Sequence, residues 1–146
     1  MISYGDIIFK RYVLHELLND QNNITLIVDA DCDENGQDKD FVSASSRYDR
    51  LNYSGTASFK KMGSDLPKGE IFGEFIGLWK VNKTGAQQVQ EALVRLSKMP
   101  NFKSMTCTDL FNEISKSHPI AVKYISGAWL DVDTIVDYQN AGKLRI

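Results

Sequence analysis

The sequence predicts one α/β domain over residues 1–146, with a mixed, mostly parallel sheet flanked by helices. Strand-like and helix-like segments alternate along the chain, which is typical of this class. Residues 24–28 form a continuous apolar run rich in β-branched side chains, as in a strand buried on both faces of a parallel sheet. The 146 residues and 42% apolar content suit one hydrophobic core rather than two.

Strands are predicted where short β-branched or alternating runs occur. These runs are residues 2–4, 24–28, 41–46, 57–62, 71–81, 120–125 and 129–133. Residues 29–40 form a polar loop with six acidic residues and one lysine, and Gly5 and Asp6 form the turn after the first strand. Gly73 and Gly77 interrupt the strand at 71–81, which predicts a bulge there or a ligand that approaches the backbone closely.

Helices are predicted where apolar residues recur at helical spacing. These segments are residues 7–18, 84–99 and 109–116, and a last helix that opens at Thr134 and is closed by Gly142. In the first of them Ile8, Tyr12 and Leu18 fall on one face. Pro100 stops the second helix, Thr106 or Thr108 caps the third, and Thr134 with Asp137 resembles a capping box.

Composition and charge exclude several classes of protein. Seventeen basic and nineteen acidic residues give a net charge of -2, which predicts no bulk affinity for nucleic acid. There is no run of about 18 apolar residues, so no transmembrane helix is expected. Cys32 and Cys107 lie far apart and outside any CxxC pair, which argues against a disulfide scaffold or a zinc site. The first residues lack a signal-peptide pattern, so the cytoplasm is the expected compartment.

Three aspartates lie where predicted strands end. Asp6 follows the first strand directly, and Asp131 and Asp133 lie near the far end of the chain, where a strand gives way to a helix. Ligands of α/β proteins bind at the carboxyl ends of strands. Mg²⁺ prefers one or two carboxylates together with substrate phosphates. The three residues are therefore candidate Mg²⁺ ligands, and solvated turns are the alternative interpretation.

The acidic loop offers a second candidate cation site. Residues 31–36 match the first half of a calcium loop, DxDxNG, with Asp31, Asp33 and Asn35 as ligands. Position twelve of such a loop requires a bidentate glutamate, and Val42 stands there. A solvated acidic turn is therefore favoured over a calcium-binding module.

Three segments together carry a family resemblance. Residues 2–7 (ISYGDI), 73–78 (GEFIGL) and 129–138 (WLDVDTIVDY) resemble, in this order, segments of nucleotidyltransferases with the Rossmann-like, glycosyltransferase-A-like fold. The combination resembles the domain that accompanies phosphoenolpyruvate mutase in phosphonate biosynthesis. It is also similar to bacterial choline-phosphate cytidylyltransferases and to the wider molybdenum-cofactor nucleotidyltransferase-like (MobA-like) group.

The resemblance implies a reaction and a set of site residues. An oxygen of a phosphate or phosphonate acceptor attacks the α-phosphorus of a nucleoside triphosphate, with CTP favoured, and pyrophosphate leaves. It implies that Asp6 binds Mg²⁺ and that Asp133, or Asp131 as the near alternative, completes the metal site. The strand at 73–78 would line the acceptor pocket, with Glu74 as a candidate partner for a cationic acceptor headgroup.

The resemblance covers only the carboxyl-terminal part of such an enzyme. The family's glycine-rich nucleotide loop lies about ninety residues before the YGD segment, which here occupies residues 4–6. We therefore expect the chain alone to be inactive, and to need an amino-terminal half or to form a homodimer. A non-catalytic α/β binding or assembly domain is the alternative. The basic side chains that could hold triphosphate are Lys10, Arg11, Lys60, Lys61 and Lys80.

Overall fold

A computed structural model describes residues 1–36, 39–52 and 55–142. The described part contains eight strands and four α-helices. The strands are β1 (Ile2–Ser3), β2 (Ile7–Phe9), β3 (Ile24–Asp29), β4 (Phe41–Ala44), β5 (Ala57–Gly63), β6 (Gly73–Val81), β7 (Ala121–Ile125) and β8 (Trp129–Asp131). The helices are α1 (Arg11–Asn19), α2 (Lys83–Leu96), α3 (Cys107–Ser115) and α4 (Ile135–Ala141).

Six strands form one sheet in the order β1-β6-β3-β7-β5-β4. The amino-terminal end of the long strand β6 also pairs with β4, through Val42 opposite Gly73, so the sheet closes on itself. Strands β2 and β8 form a separate antiparallel ribbon.

The prediction of a mostly parallel sheet is wrong, whereas the prediction of a mixed α/β fold is confirmed. Among the described strands, only β3 and β7 pair in parallel. Every residue of β3 is buried, as predicted for its apolar run. That burial arises because helices cover both faces of β3, and it does not require parallel neighbours on both sides.

The core lies on both sides of β3. Leu26 and Val28 face a large cluster that includes Phe111 of α3, while Ile27 faces a smaller cluster with Val13 and Leu17 of α1. Burial of such aliphatic and aromatic side chains contributes roughly 1.5–3 kcal/mol each. The two clusters hold the sheet between α1 on one side and α2 with α3 on the other.

The predicted helix at residues 7–18 begins later than the sequence indicated. Residues 7–9 form β2, and α1 starts at Arg11 with Val13 and Leu17 as its buried residues. The predicted apolar face was wrong, because Tyr12 and Leu18 are exposed. The partner of β2 is β8, more than a hundred residues further along the chain, and local periodicity carries no information about it.

The remaining helix predictions agree closely with the structure. Asn82 caps α2 by accepting a 2.8 Å hydrogen bond from the Gly85 backbone N–H. Thr106 begins α3, and its backbone N–H donates to the Asp109 carboxylate at 2.8 Å. None of the described helices combines the length and the apolar character that a membrane span needs.

Candidate metal and substrate site

The structure brings the side chains of Asp6, Asp131 and Asp133 together. One carboxylate oxygen of each lies within 4.8 Å of the others, and all three residues are exposed. Asp6 is separated from the other two by more than 120 residues of sequence. The cluster is therefore a product of the tertiary fold, and its three oxygen donors are of the kind that a divalent cation binds.

Tyr4 positions Asp6 by fastening the first strand to β6. The Tyr4 backbone N–H donates a 2.9 Å hydrogen bond to the Gly77 carbonyl. Gly77 has a φ of +78°, and a Cβ there would lie 2.3 Å from the Tyr4 ring. The same ring packs edge-on against Phe75, with centroids 5.9 Å apart. The predicted bulge is present at this point, because the register between β3 and β6 shifts between the pairs Leu26–Trp79 and Val28–Phe75, on either side of Gly77. The group that approaches Gly77 closely is the Tyr4 ring of the chain itself.

The β2–β8 ribbon brings the two ends of the chain to the same place. Ile7 pairs with Asp131 across the ribbon, and the Val132 backbone N–H donates a 2.8 Å hydrogen bond to the Asp6 carbonyl. Asp131 and Asp133 flank this second contact. Backbone hydrogen bonds at Tyr4 and at Asp6 therefore hold the backbone that carries the three carboxylates.

The buried carboxylate of Asp29 holds the start of β8 through hydrogen bonds. Asp29, at the end of β3, accepts hydrogen bonds from the Trp129 indole N–H at 2.7 Å and from the Gly127 backbone N–H at 2.9 Å. Gly127 and Ala128 have positive φ angles of 62° and 68°, which make the sharp turn between β7 and β8. Asp29 is 6% exposed, and sequence patterns gave no indication of its role.

Burial and neighbouring negative charges raise the pKa of one member of the acidic cluster, Asp131. Partial burial raises the pKa of Asp131 above its usual value, and the neighbouring Asp133 and Asp6 carboxylates raise it further. Mutual repulsion of this kind disfavours three ionised carboxylates at one point. A bound divalent cation relieves that repulsion, because its charge offsets theirs.

A small cleft opens beside the cluster. Its cavity volume is about 100 Å³, and Asp131 forms part of its wall. The other lining residues are Tyr4, Ile7, Lys39, Asp40, Glu74, Phe75, Ile76 and Trp129. The cleft thus joins a candidate metal site to a mixed apolar and charged pocket.

Glu74, the predicted acceptor-side residue, lies in this cleft and is already paired. Its Oε2 atom is 2.5 Å from the Lys39 ammonium, and the two side chains are 12% and 28% exposed respectively. Burial raises the pKa of Glu74; Lys39 opposes that shift, while Asp29 and Asp131 reinforce it. The negative charge of Glu74 therefore faces a cation supplied by the protein itself.

Sequence reasoning missed Lys39. None of the five predicted triphosphate-binding cations, Lys10, Arg11, Lys60, Lys61 and Lys80, is among the residues that line the cleft. Lys80 instead donates to the backbone carbonyls of Leu18 and Asp20 at the end of α1. Lys39 is the single lysine in the acidic loop at 29–40. One basic residue among six acidic ones is the sequence feature that could have indicated an ion pair there.

The predicted calcium loop has a different arrangement in its described part. Asp31 accepts a hydrogen bond from the Ser126 hydroxyl, Asp33 from the Asn35 backbone N–H at 2.9 Å, and Asn35 from Lys68 at 2.6 Å. Each of the three candidate ligands is thus engaged by the protein. Residues 37 and 38 of this loop lie outside the described residues. Over the rest of the described chain, the one group of acidic, histidine or cysteine side chains with metal-site spacing is the Asp6 cluster.

Comparison with known proteins places the fold among nucleotidyltransferases. The structure is similar to UTP-bound UGPase from Acinetobacter baumannii, with a TM-score of 0.71, 12% identity, and coverage of 95% of this chain and 47% of that one. A UDP-glucose pyrophosphorylase structure from the same organism has a TM-score of 0.70 and 14% identity, with 95% of this chain and 47% of that one covered. The inositol-1-phosphate CTP transferase from T. maritima has a TM-score of 0.66 and 15% identity, with 98% of this chain and 54% of that one covered.

These similarities establish the fold. The chain spans about half the length of the solved structures it matches. No family model and no curated protein matches the sequence. The chain is thus a mixed α/β domain whose fold is shared with about half of each of these structures.

Proposed function

We propose that this chain is the carboxyl-terminal portion of a Mg²⁺-dependent nucleotidyltransferase. The enzyme would transfer a nucleoside monophosphate, from CTP by preference, to a small phosphorylated or phosphonate acceptor. The observation that carries the proposal is the convergence of Asp6, Asp131 and Asp133 within 4.8 Å, with Asp131 also lining a small cleft. The similarity of the fold to nucleotidyltransferases supports it.

The three aspartates fit a Mg²⁺ site in their chemistry. They offer hard oxygen ligands at the surface, where water and substrate phosphates can complete an octahedral shell. When bound, the ion would neutralise charge that develops on the phosphates during transfer. Asp6 and Asp133 are the principal proposed ligands, and Asp131 lies beside them with its side chain also in the cleft wall.

The proposed reaction is a direct phosphoryl substitution. An acceptor phosphate or phosphonate oxygen forms a bond to the α-phosphorus, the bond from that phosphorus to the bridging oxygen breaks, and the pyrophosphate takes the electron pair. Such transfers depend on positioning and charge stabilisation more than on covalent chemistry by the protein. Tyr4, Gly77 and the β2–β8 ribbon would supply the positioning, because they fix where the three carboxylates lie.

Glu74 is the proposed acceptor-side carboxylate. Glu74 and Asp131 both line the cleft. A cationic headgroup on the acceptor would meet Glu74 in competition with Lys39, which lies 2.5 Å away. The preference for CTP and for a phosphonate acceptor rests on the resemblance of the three sequence segments.

A metal titration tests the proposal without requiring turnover. We expect Mn²⁺, used as a paramagnetic substitute for Mg²⁺, to bind the chain and to be displaced by Mg²⁺. Asp6→Asn and Asp133→Asn should each weaken Mn²⁺ binding about tenfold or more, since each removes an anionic ligand. Asp65→Asn is the matched control, because Asp65 is exposed and lies on another loop.

The titration tests the metal site, and an assay of turnover then separates the proposed enzyme from a non-catalytic assembly domain. Equal Mn²⁺ affinity in the wild type and in both cluster variants would overturn the metal site. Binding that depends on the cluster would be followed by assay of the chain, mixed with a candidate amino-terminal half, for pyrophosphate release from CTP. Loss of that release in Asp133→Asn, with normal assembly, is the expected result.

A further inference from the structure

The cleft beside the acidic cluster has a lining that favours a cation. Among the described residues of its wall, Asp40, Glu74 and Asp131 carry carboxylates and Lys39 carries the one ammonium group. The other lining side chains are aliphatic or aromatic: Tyr4, Ile7, Phe75, Ile76 and Trp129. Carboxylates attract positive charge, and aromatic rings attract it over their faces. The chain itself places one positive group, the Lys39 ammonium, in this acidic lining.

Burial makes a positive partner important for Glu74. Its side chain is 12% exposed, and burial raises the pKa of Glu74, which the nearby Asp29 and Asp131 carboxylates raise further. Lys39 opposes this shift with its ammonium group 2.5 Å from Oε2. A half-buried carboxylate that loses its counter-ion is costly to keep ionised. Glu74 therefore has a place for a cation, and Lys39 occupies it.

Lys39 reaches this place from the loop between β3 and β4. Its side-chain stem passes close over Gly36, where the absence of a Cβ leaves room for it. Among the described residues, Glu74 is the only acceptor of a hydrogen bond from the Lys39 ammonium, and the lysine side chain is 28% exposed. An ammonium group held by a single contact, on a stem that reaches solvent, is one that a second ammonium group can replace.

We propose that the Lys39–Glu74 ion pair is an autoinhibitory contact, in which Lys39 holds the place of the acceptor's cationic headgroup. The inference rests on the proposed function, which pairs that headgroup with Glu74. A cationic acceptor would displace the Lys39 ammonium and take over the contact with Glu74. A neutral molecule offers Glu74 no replacement charge and would leave the ion pair intact, so the contact selects for cationic acceptors.

Titration of the full 146-residue chain with n-propylammonium tests this proposal. The probe carries the atoms that Lys39→Ala removes, and 1-propanol is its neutral counterpart of the same size. Both are titrated at pH 7 with EDTA into the wild type, Lys39→Ala, Lys39→Arg and Lys39→Ala/Glu74→Gln, with backbone amide NMR shifts as the readout. Lys39→Ser repeats the comparison with a polar residue of similar size, and thermal melts confirm that each variant is folded.

Lys68→Ala is the matched control for removal of a lysine. The Lys68 ammonium donates a 2.6 Å hydrogen bond to Asn35 of the same loop, but Lys68 is not among the cleft-lining residues.

We expect Lys39→Ala to bind n-propylammonium about tenfold or more tightly than the wild type, because the tethered competitor is gone. A tenfold difference corresponds to an ion pair that is formed roughly nine-tenths of the time in the wild type. Lys39→Arg should bind as weakly as the wild type, since its guanidinium also pairs with Glu74. The double variant should lose the gain, and the probe should raise the melting temperature of Lys39→Ala but not that of the double variant.

Four results would overturn the inference: equal affinity in the wild type and Lys39→Ala, no binding by Lys39→Ala, an equal gain in Lys68→Ala, or an equal gain for 1-propanol. Failure of the proposed metal site is seen separately, because these titrations contain no metal. Tighter n-propylammonium binding by Lys39→Ala would stand even if the Asp6 and Asp133 variants left Mn²⁺ binding unchanged. Equal affinities together with cluster-dependent Mn²⁺ binding would reject the autoinhibitory contact alone.

Discussion

The buried carboxylate of Asp29 accepts a 2.7 Å hydrogen bond from the indole N–H of Trp129, across the gap between β3 and β8. Asp29 also accepts from the backbone N–H groups of Asp31 and Gly127. One side chain thereby ties the end of a central strand to the turn that leads into Asp131. We therefore expect the geometry of the acidic cluster to depend on this contact, although Asp29 is not a member of the cluster.

Asp29→Ala should destabilise the fold and loosen the cluster together. Removing the carboxylate leaves three N–H donors without their acceptor, which we expect to lower the free energy of unfolding by about 2–4 kcal/mol. Urea denaturation measures the loss, and Mn²⁺ titration at low urea measures the effect on the cluster. Trp129→Phe removes a single donor and should cost about 1 kcal/mol. A smaller loss in Asp29→Ala than in Trp129→Phe would contradict the anchoring role.

Asp131→Asn should stabilise the chain at neutral pH when metal is removed with EDTA. Burial and the neighbouring Asp133 and Asp6 carboxylates raise the pKa of Asp131 in the folded state. The folded state therefore binds this proton more tightly than the unfolded state. The contribution of Asp131 to the free energy of unfolding falls as pH rises from the ordinary aspartate pKa of 3.8 through the raised pKa of the folded state, and it stays low at higher pH.

Melting temperatures at two pH values check this sign. At pH 7, Asp131→Asn should melt higher than the wild type, and the difference should shrink below the ordinary aspartate pKa of 3.8, where both forms are neutral. Asp65→Asn should show no comparable gain. A lower melting temperature for Asp131→Asn at pH 7 would show that its carboxylate stabilises the metal-free fold.

Asp20→Asn should remove a source of stability that is lost in acid. Burial opposes ionisation of Asp20, but hydrogen bonds from Thr25 and Asn22 outweigh it and lower the pKa of the carboxyl. The stabilising effect is present above the ordinary value of 3.8 and disappears as pH falls through the lower folded value.

Denaturation of the wild type and of Asp20→Asn across pH 2–7 measures this effect. The two curves should differ most above pH 4 and converge toward pH 2, because protonated Asp20 resembles the amide. Thr25→Val removes the 2.6 Å hydrogen bond from the Thr25 hydroxyl and should cost about 1.5–3 kcal/mol at pH 7. A pH-independent difference would mean that the carboxylate charge is not the stabilising feature.

Local patterns predicted most elements but not the pairing between them. The apolar run that forms β3 and the capping residues of α3 and α4 are local signals, and the structure places elements there. The strand at Ile7–Phe9 forms by pairing with Trp129–Asp131. The helical spacing of apolar residues across 7–18 therefore predicted a helix where the chain forms a strand. The sequence also predicted too many parallel strand pairs. A strand such as β3 is buried because helices cover both faces of the sheet, and its burial does not depend on the direction of the neighbouring strands.

The candidate site was predictable in part. Asp6, Asp131 and Asp133 were singled out by their positions after strands, and the structure brings their carboxylates together. Asp29 and Lys39 were not singled out, because their importance comes from contacts with Trp129 and Glu74. Such contacts join residues 35 and 100 positions apart, and no spacing rule in the sequence connects them.

Gly77→Ala should disrupt the placement of Asp6 through Tyr4. The φ of +78° at Gly77 strains any residue with a side chain by about 1–3 kcal/mol, and the added Cβ would lie 2.3 Å from the Tyr4 ring. Gly127→Ala is the matched control, since its φ is +62° with nothing within 4 Å of the added Cβ. We expect Gly77→Ala to cost more stability than Gly127→Ala and to weaken Mn²⁺ binding.

A double-mutant cycle with Tyr4→Ala isolates the steric part of that cost. Without the Tyr4 ring, the added methyl group has room and only the backbone strain remains. Gly77→Ala should therefore cost about 0.5–3 kcal/mol less in the Tyr4→Ala background than in the wild type, the range for coupled neighbours. Additive losses of free energy would contradict the close approach of Tyr4 to Gly77. The Tyr4 ring would then not be what fixes the first strand and holds Asp6 within reach of Asp131 and Asp133.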